Sequence, residues 1–375
     1  MKIRRQFPLG KAYGMAFCNR VDETSRFISY IGNGTHVYLV APRRYGKSSL
    51  CEHVLESTTI PWITLDFHLA VTEKNAEHII INGVSNLIGK AIGPIDKLQH
   101  VVKKYVKKLQ PKIALGSDHM KLELAFDEHS NPAENIAEAL LLLEKLLQER
   151  NKQAVLLLDE FQEIGHMEKE RGIEGAIRHV AQETQNLSII FSGSNPHMLT
   201  SMFEDERRPL YKLCRKVTLD RIHAEDYRPH LNKAALSTWK KELAESVFEK
   251  IMGVTERHPY YVNYLCDELW RNDKSPPTLN NVDDAWDMIV EEEKSDLIKD
   301  FFSLSDNQRK ILIYIANFGG NALYASEVAN KTEIPSGSIA TTLSILIEKN
   351  YIEKQNGVFR IIVPAYNKLL STTII

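Results

Sequence analysis

The stretch Val37–Leu50, VYLVAPRRYGKSSL, decides how this chain is read. Its four apolar residues, Val37–Val40, predict a short buried strand. The run SSLCEHVLE that closes it has helical spacing, with Leu50 and Val54 on one face. Strand, glycine loop and helix form the context in which backbone N–H groups at a helix N-terminus cradle phosphates. The pattern G-x-x-x-x-G-K-[ST] is met at Gly46, Lys47 and Ser48, but Ala41 stands where its first glycine belongs. At Gly46 the backbone approaches the phosphate and a side chain is excluded. Ala41 closes the strand, where one methyl group is tolerated, and Pro42 favours an extended predecessor that alanine adopts. The loop Pro42, Arg43, Arg44, Tyr45, Gly46, Lys47, Ser48 and Ser49 is therefore expected to hold a nucleotide. Lys47 would reach the β and γ phosphates, and the Ser48 hydroxyl would ligate Mg²⁺.

A second segment answers the first. QAVLLLDEFQEI (Gln153–Ile164) contains an apolar strand that delivers Asp159 and Glu160 to its end. Asp159 is placed to hold Mg²⁺ through water, and Glu160 to act as general base on the attacking water. Such a pair also serves to cap a following helix, but the glycine loop favours the chemical reading. Ser192, Ser194 and Asn195 close a further strand, where a polar group senses a γ-phosphate or simply makes a turn. Arg207 and Arg208, in FEDERRPLY, lie beyond it. Either serves as an arginine reaching a neighbour's nucleotide or as a surface ion pair. Arg208 is the first choice for that finger, with Arg207 and Lys212 behind it.

Around these segments the chain alternates. Strands are expected at Val37–Val40, Pro61–Phe67, up to Asp159, Leu187–Asn195 and Arg215–Ile222, with helices between them. That alternation predicts a five-stranded parallel sheet covered on both faces, an α/β P-loop fold. The stretch between Lys47 and Asp159 is long for one crossover. It is expected to carry an insert (about 68–132) with a helix near Asn75–Ile92, a basic helix near Leu98–Gln110 and a hairpin in KIALGSDHMKLELAF. A leucine-rich helix entered at Asn131-Pro132 comes next. From about Ala224 the strands stop, and ELAESVFEKIMGVTERHPYYVNYLCDELW and NVDDAWDMIVEEEKSDLIKDFF read as helices. After Leu304 come three helices, the first stopped by glycine, then a small hairpin turned at Asn356-Gly357. This is the pattern of a winged helix. The expected domains are thus 1–223 for the core, 224–302 for a helical lid and 303–375 for the winged helix.

Composition excludes more than it assigns. The 375 residues are 43% hydrophobic and 26% charged, with a formal net charge of −2. These are ordinary values for a globular protein, and the balance names no nucleic-acid or membrane partner. No apolar run approaches the ~18 residues of a membrane span. The basic N-terminus lacks the apolar core of a signal peptide. The four cysteines, Cys18, Cys51, Cys214 and Cys266, form no CxxC pair, as suits free thiols in a reducing cytoplasm. A cytoplasmic protein is expected.

In order, FCNRVDE, APRRYGKSSL, LLLDEFQEI, FSGSNPHM, RRPLYKLCRKVTLDRI and HPYYVNYLCDELW resemble the AAA+-related ATPases often called archaeal-type ATPases. These belong to the STAND class of signal-transducing NTPases and are akin to archaeal origin-recognition initiators. The resemblance spans nearly the whole chain. It implies that Phe17, Asn19, Arg20 and Glu23 form the N-terminal motif near the adenine. Gly46, Lys47 and Ser48 match Walker A, and Asp159 and Glu160 match Walker B. Ser194, or else Asn195, matches sensor 1, and Arg208 the arginine before Pro209. His258 and Pro259 match the lid motif that touches nucleotide. Ala41 and Arg257 each replace a glycine usual in the family, and Arg257 weakens the case for the lid contact.

Two functions lead. One is a switch acting on a separate effector protein or by self-association, with the winged helix folded onto the core and gating nucleotide exchange or assembly. The other is a DNA-associated ATPase. For DNA, PSGSIATTLSILIEK offers hydroxyls but only one late lysine, Lys349, and phosphate contacts want more cations. Lys97, Lys103, Lys104, Lys107 and Lys108 of the insert are the other candidate footprint. The switch is the favoured reading. A small-molecule kinase is the weak third.

Overall fold

The fold is described from a computed structural model, covering residues 6–93, 110–115, 120–125, 130–167, 171–272 and 274–371. Its contacts divide the chain into two compact units, Val21–Arg43 with Leu50–Leu219, and Met1–Arg20 with Arg44–Ser49 and Asp220–Ile375.

The first unit is built on five parallel strands, β1 (Val37–Val40), β2 (Trp62–Asp66), β5 (Ala154–Asp159), β6 (Leu187–Gly193) and β7 (Arg215–Thr218), in the order β2-β5-β6-β1-β7. In the three central strands, β1, β5 and β6, every residue but Asp159 is buried. That explains their unbroken apolar runs, because a strand covered on both faces has no solvent side to alternate with. The edge strand β7 buries only Val217. Helices α1 (Val21–Gly32), α3 (Glu73–Ile92), α4 (Pro132–Arg150), α5 (Gln162–Met167), α6 (Gly172–Glu183) and α7 (Pro196–Glu204) surround the sheet in sequence. Asn131 caps α4, its side chain accepting the Ala133 N–H, with Pro132 in the first turn. The insert's hairpin is present as β3 (Gln110–Leu115) antiparallel to β4 (Met120–Ala125). The segment of the insert for which a basic helix is expected, with Lys97, Lys103, Lys104, Lys107 and Lys108, falls outside the described residues.

The parallel register sets the functional edge. Val40 pairs with Gly193 on one side and Thr218 on the other, and Asp66 pairs with Asp159. The strands therefore end together, and the loops leaving their C-termini share one edge, where open α/β sheets bind ligands.

The second unit is helical. It contains α8 (Ala224–Trp239), α9 (Glu245–Val254), α10 (Pro259–Leu269) and α11 (Leu279–Phe302) around one apolar cluster that includes Trp239, Phe248, Tyr261 and Trp286. The sequence did not single out α8, which carries Pro229 within it. A second cluster joins α12 (Asp306–Phe318), α13 (Ser326–Thr332), α14 (Ser336–Glu348) and α15 (Pro364–Leu370) with the hairpin β8 (Ile352–Gln355) and β9 (Val358–Ile361). Gly319, at φ 81°, stops α12 as expected. Asn356 and Gly357 turn the hairpin with φ of 51° and 85°. Two successive left-handed residues are what a two-residue hairpin turn requires. No described helix is long and apolar enough to cross a membrane.

Candidate functional site

β1 ends at Val40, and Ala41, fully buried, closes it. The chain then enters a left-handed stretch, Arg44 at φ 63° and Gly46 at φ 90°, and α2 (Lys47–Glu56) starts at once. Nothing lies within 4 Å of the position a Cβ would take on Gly46, so its glycine is demanded by backbone angle and not by crowding. Lys47 and Ser48 sit in the first turn of α2, at the positive end of its dipole.

Side chains of the loop are engaged by the protein itself. Ser49 Oγ accepts the Ala12 N–H at 3.0 Å. The Arg44 guanidinium lies 4.1 Å from the Tyr260 ring centre and 3.4 Å from Glu293. Tyr45 is buried, its phenol between Arg221 and Glu353. Arg20, from the N-terminal motif, donates to the Tyr45 carbonyl at 3.4 Å and the Asp220 carbonyl at 2.7 Å. It braces the loop. Asn19 and Arg20 are both left-handed, at φ 52° and 67°.

His258 meets the loop, and Pro259 opens α10 behind it. The imidazole stands edge-on to the Tyr45 ring, centroids 4.8 Å apart. It is 1% exposed, and its Nδ1 has no partner among the described residues. Burial, then the Arg221 and Arg44 charges, push its pKa down to about 3, so the ring is neutral. Arg257 and Glu256 before it are both left-handed, at φ 61° and 47°. Position 257 thus has a backbone that suits glycine, adopted here by arginine.

At the end of β5, Asp159 Oδ1 accepts a short hydrogen bond from Ser192 Oγ and one from the Glu160 N–H at 3.1 Å. Glu160 turns left-handed, φ 53°. Its Oε2 accepts from Ser194 Oγ (2.7 Å), Ser194 N (3.1 Å) and Gln162 Nε2 (2.6 Å). Asn195 caps α7 instead, accepting the Met198 N–H. Of the two sensor candidates, Ser194 is the one that touches Glu160. Gln162, 2% exposed, was not anticipated. Its place two residues after Glu160, at the start of α5, was the only signal.

Arg208, the first choice for a finger, does not face outward. Its guanidinium forms a short ion pair with Glu174 of α6, the side chains 8% and 0% exposed. A buried carboxylate needs a cation close by, and Glu174 takes this one. Arg207 is 83% exposed at its side chain and forks onto Asp205 with two bonds of 2.9 Å. That fork holds the Asp205 carboxyl down at about 2. Lys212 lies over the Tyr211 ring, 5.0 Å from its centre.

No family model and no curated protein matches this sequence. Solved structures do resemble it. A Walker-type ATPase of Pyrococcus abyssi superposes with a TM-score of 0.68 at 18% identity, over 97% of this chain and 99% of that one. The ORC2 protein of Aeropyrum pernix, solved in ADPNP and ADP complexes, gives a TM-score of 0.58 at 13% identity, over 99% and 96%. At such identities the likeness is one of fold. The chain has the P-loop ATPase fold that these two archaeal proteins share, and the fold class expected from the sequence stands.

Proposed function

We propose that this protein is an ATP-binding, ATP-hydrolysing switch of the AAA+/STAND type, slow without its partner, that acts on another protein through nucleotide-dependent change of conformation or assembly. One observation carries the reading. A left-handed Gly46 opens directly into α2 with Lys47 and Ser48 in its first turn, while the register brings the end of β5, with Asp159 and Glu160, to the edge at which β1 ends. By residue type the two segments suit Mg²⁺ and ATP: Ser48 and Asp159 each carry the hard oxygen that Mg²⁺ takes, and Lys47 is the point charge for the β and γ phosphates. Mg²⁺, when bound, neutralises charge between those phosphates. Glu160 would take the proton of the attacking water as its oxygen bonds to the γ-phosphorus. The bond to the bridging oxygen then breaks and ADP and phosphate leave. Ser194 and the side-chain amide of Gln162 hold that carboxylate in place.

Residues 1–223 form the ATPase core in this reading, 224–302 the lid, and 303–375 a winged helix. An arginine reaching a neighbouring copy is better assigned to the exposed Arg207 than to Arg208, which Glu174 already engages. The DNA reading has less support. The exposed face of α14 shows Ser336, Ala340, Thr341 and Ser344, without a cation, where DNA phosphates call for Lys and Arg. A cytoplasmic location belongs to the same proposal.

The test is Glu160→Gln. It should keep ATP affinity within about twofold and lower turnover by about 10²–10⁴, the usual worth of a general base. Turnover equal to wild type would remove Glu160 from the chemistry.

A further inference from the structure

Within the second unit, the residue before Gly46 is tied to the far end of the chain. Tyr45 Oη accepts the Arg221 Nε–H at 3.1 Å and donates toward Glu353 of β8, 3.3 and 3.4 Å from its two oxygens. Arg221 is 3% exposed at its side chain and leaves none of its five N–H groups idle. Nη1 serves the Glu256 carbonyl (2.9 Å) and carboxylate (3.0 Å). Nη2 serves the carbonyls of Ile361 (3.2 Å) and Ile362 (2.9 Å), and Nε also lies 3.2 Å from Glu353. A buried guanidinium is tolerable only with acceptors this complete. Removing one partner therefore disturbs the rest.

The knot bears on the loop's geometry. Arg44 and Gly46, on either side of Tyr45, are both left-handed, and Arg44 has a Cβ that makes this costly. Non-glycine residues persist there when their surroundings over-determine them. Here the surroundings are the Tyr45 knot and the contacts of Arg44 with Tyr260 and Glu293.

We infer that Tyr45 is a positioning residue for the phosphate loop, held through Arg221 by Glu353 of the C-terminal hairpin, so that nucleotide affinity and the seating of that hairpin are linked. The inference rests on the nucleotide-binding reading above and adds its regulation. The knot holds the N–H groups of Gly46 and Lys47 ready before a phosphate arrives, which removes an ordering cost from binding. Linkage is reciprocal. A change that loosens the hairpin weakens nucleotide binding, and nucleotide tightens the hairpin. A partner that draws on β8–β9 would thereby open the loop.

Two measurements test this on the full chain. Stopped-flow release of a fluorescent ADP analogue should be about tenfold faster from Tyr45→Phe and from Glu353→Gln than from wild type. Each change is nearly isosteric, and Tyr45→Phe keeps the ring against His258. Hydrogen exchange of wild type needs no variant. ATP with Mg²⁺ should slow exchange of the amides of residues 352–361. Nucleotide bound by wild type, with unchanged release from both variants and no protection of those amides, overturns the inference and leaves the nucleotide reading intact. No binding by wild type at all defeats both.

Discussion

Two knots of polar side chains are instructive side by side. At the ends of β5 and β6, Asp159, Glu160, Ser192 and Ser194 are drawn from two segments that neighbour one another in the sheet. Around Tyr45, the partners are Arg221, Glu256 and Glu353, one from each of three distant stretches. The first knot is made by strand register. Once two apolar runs are known to pair in parallel, the polar residues that close them must meet. The second depends on how helices and a hairpin pack, and no local pattern encodes it.

The largest expected effect belongs to the sheet unit. Arg208→Ala would leave the fully buried Glu174 without its cation. Loss of one partner from a buried pair costs about 3–5 kcal/mol. The urea midpoint should fall accordingly at unchanged slope. An unchanged midpoint would return Arg208 to the status of a surface residue.

A smaller effect probes the other knot through pH. The folded pKa of His258 is about 3, below the ordinary value near 6.5. Between those values the unfolded chain binds the extra proton, so the contribution to unfolding free energy rises with pH and is lost as pH falls from about 6.5 toward 3. The slope is at most about 1.4 kcal/mol per pH unit. Urea titrations at stepped pH should show His258→Phe less acid-sensitive than wild type by up to that slope. Parallel profiles would mean that His258 is solvated.

The smallest effect concerns the loop's odd letter. Ala41 is buried at the close of β1 and away from the left-handed turn at Gly46. Ala41→Gly should change ATP affinity by less than about tenfold, roughly 1.4 kcal/mol. A larger gain would show a loop handicapped by its methyl group.

The five strands, the stop at Gly319 and the Asn356-Gly357 turn were legible in the sequence because each obeys a local rule of burial or backbone angle. Helix α8 was passed over, with Pro229 inside it. The ion-pair reading of Arg208 had no named partner, because Glu174 sits in another helix and looks like any surface glutamate. Arg221 and Glu353 carried no mark at all. Both look solvated in sequence, and only packing shows Arg221 buried.

Whether the loop after β1 binds nucleotide phosphates through Lys47 is decided by calorimetric titration of ATP with Mg²⁺ into wild type and Lys47→Ala. Wild type should bind saturably and the variant at least a hundredfold more weakly, about 2.7 kcal/mol, with its thermal unfolding unchanged. Equal affinities in the two proteins would show that Lys47 holds no phosphate.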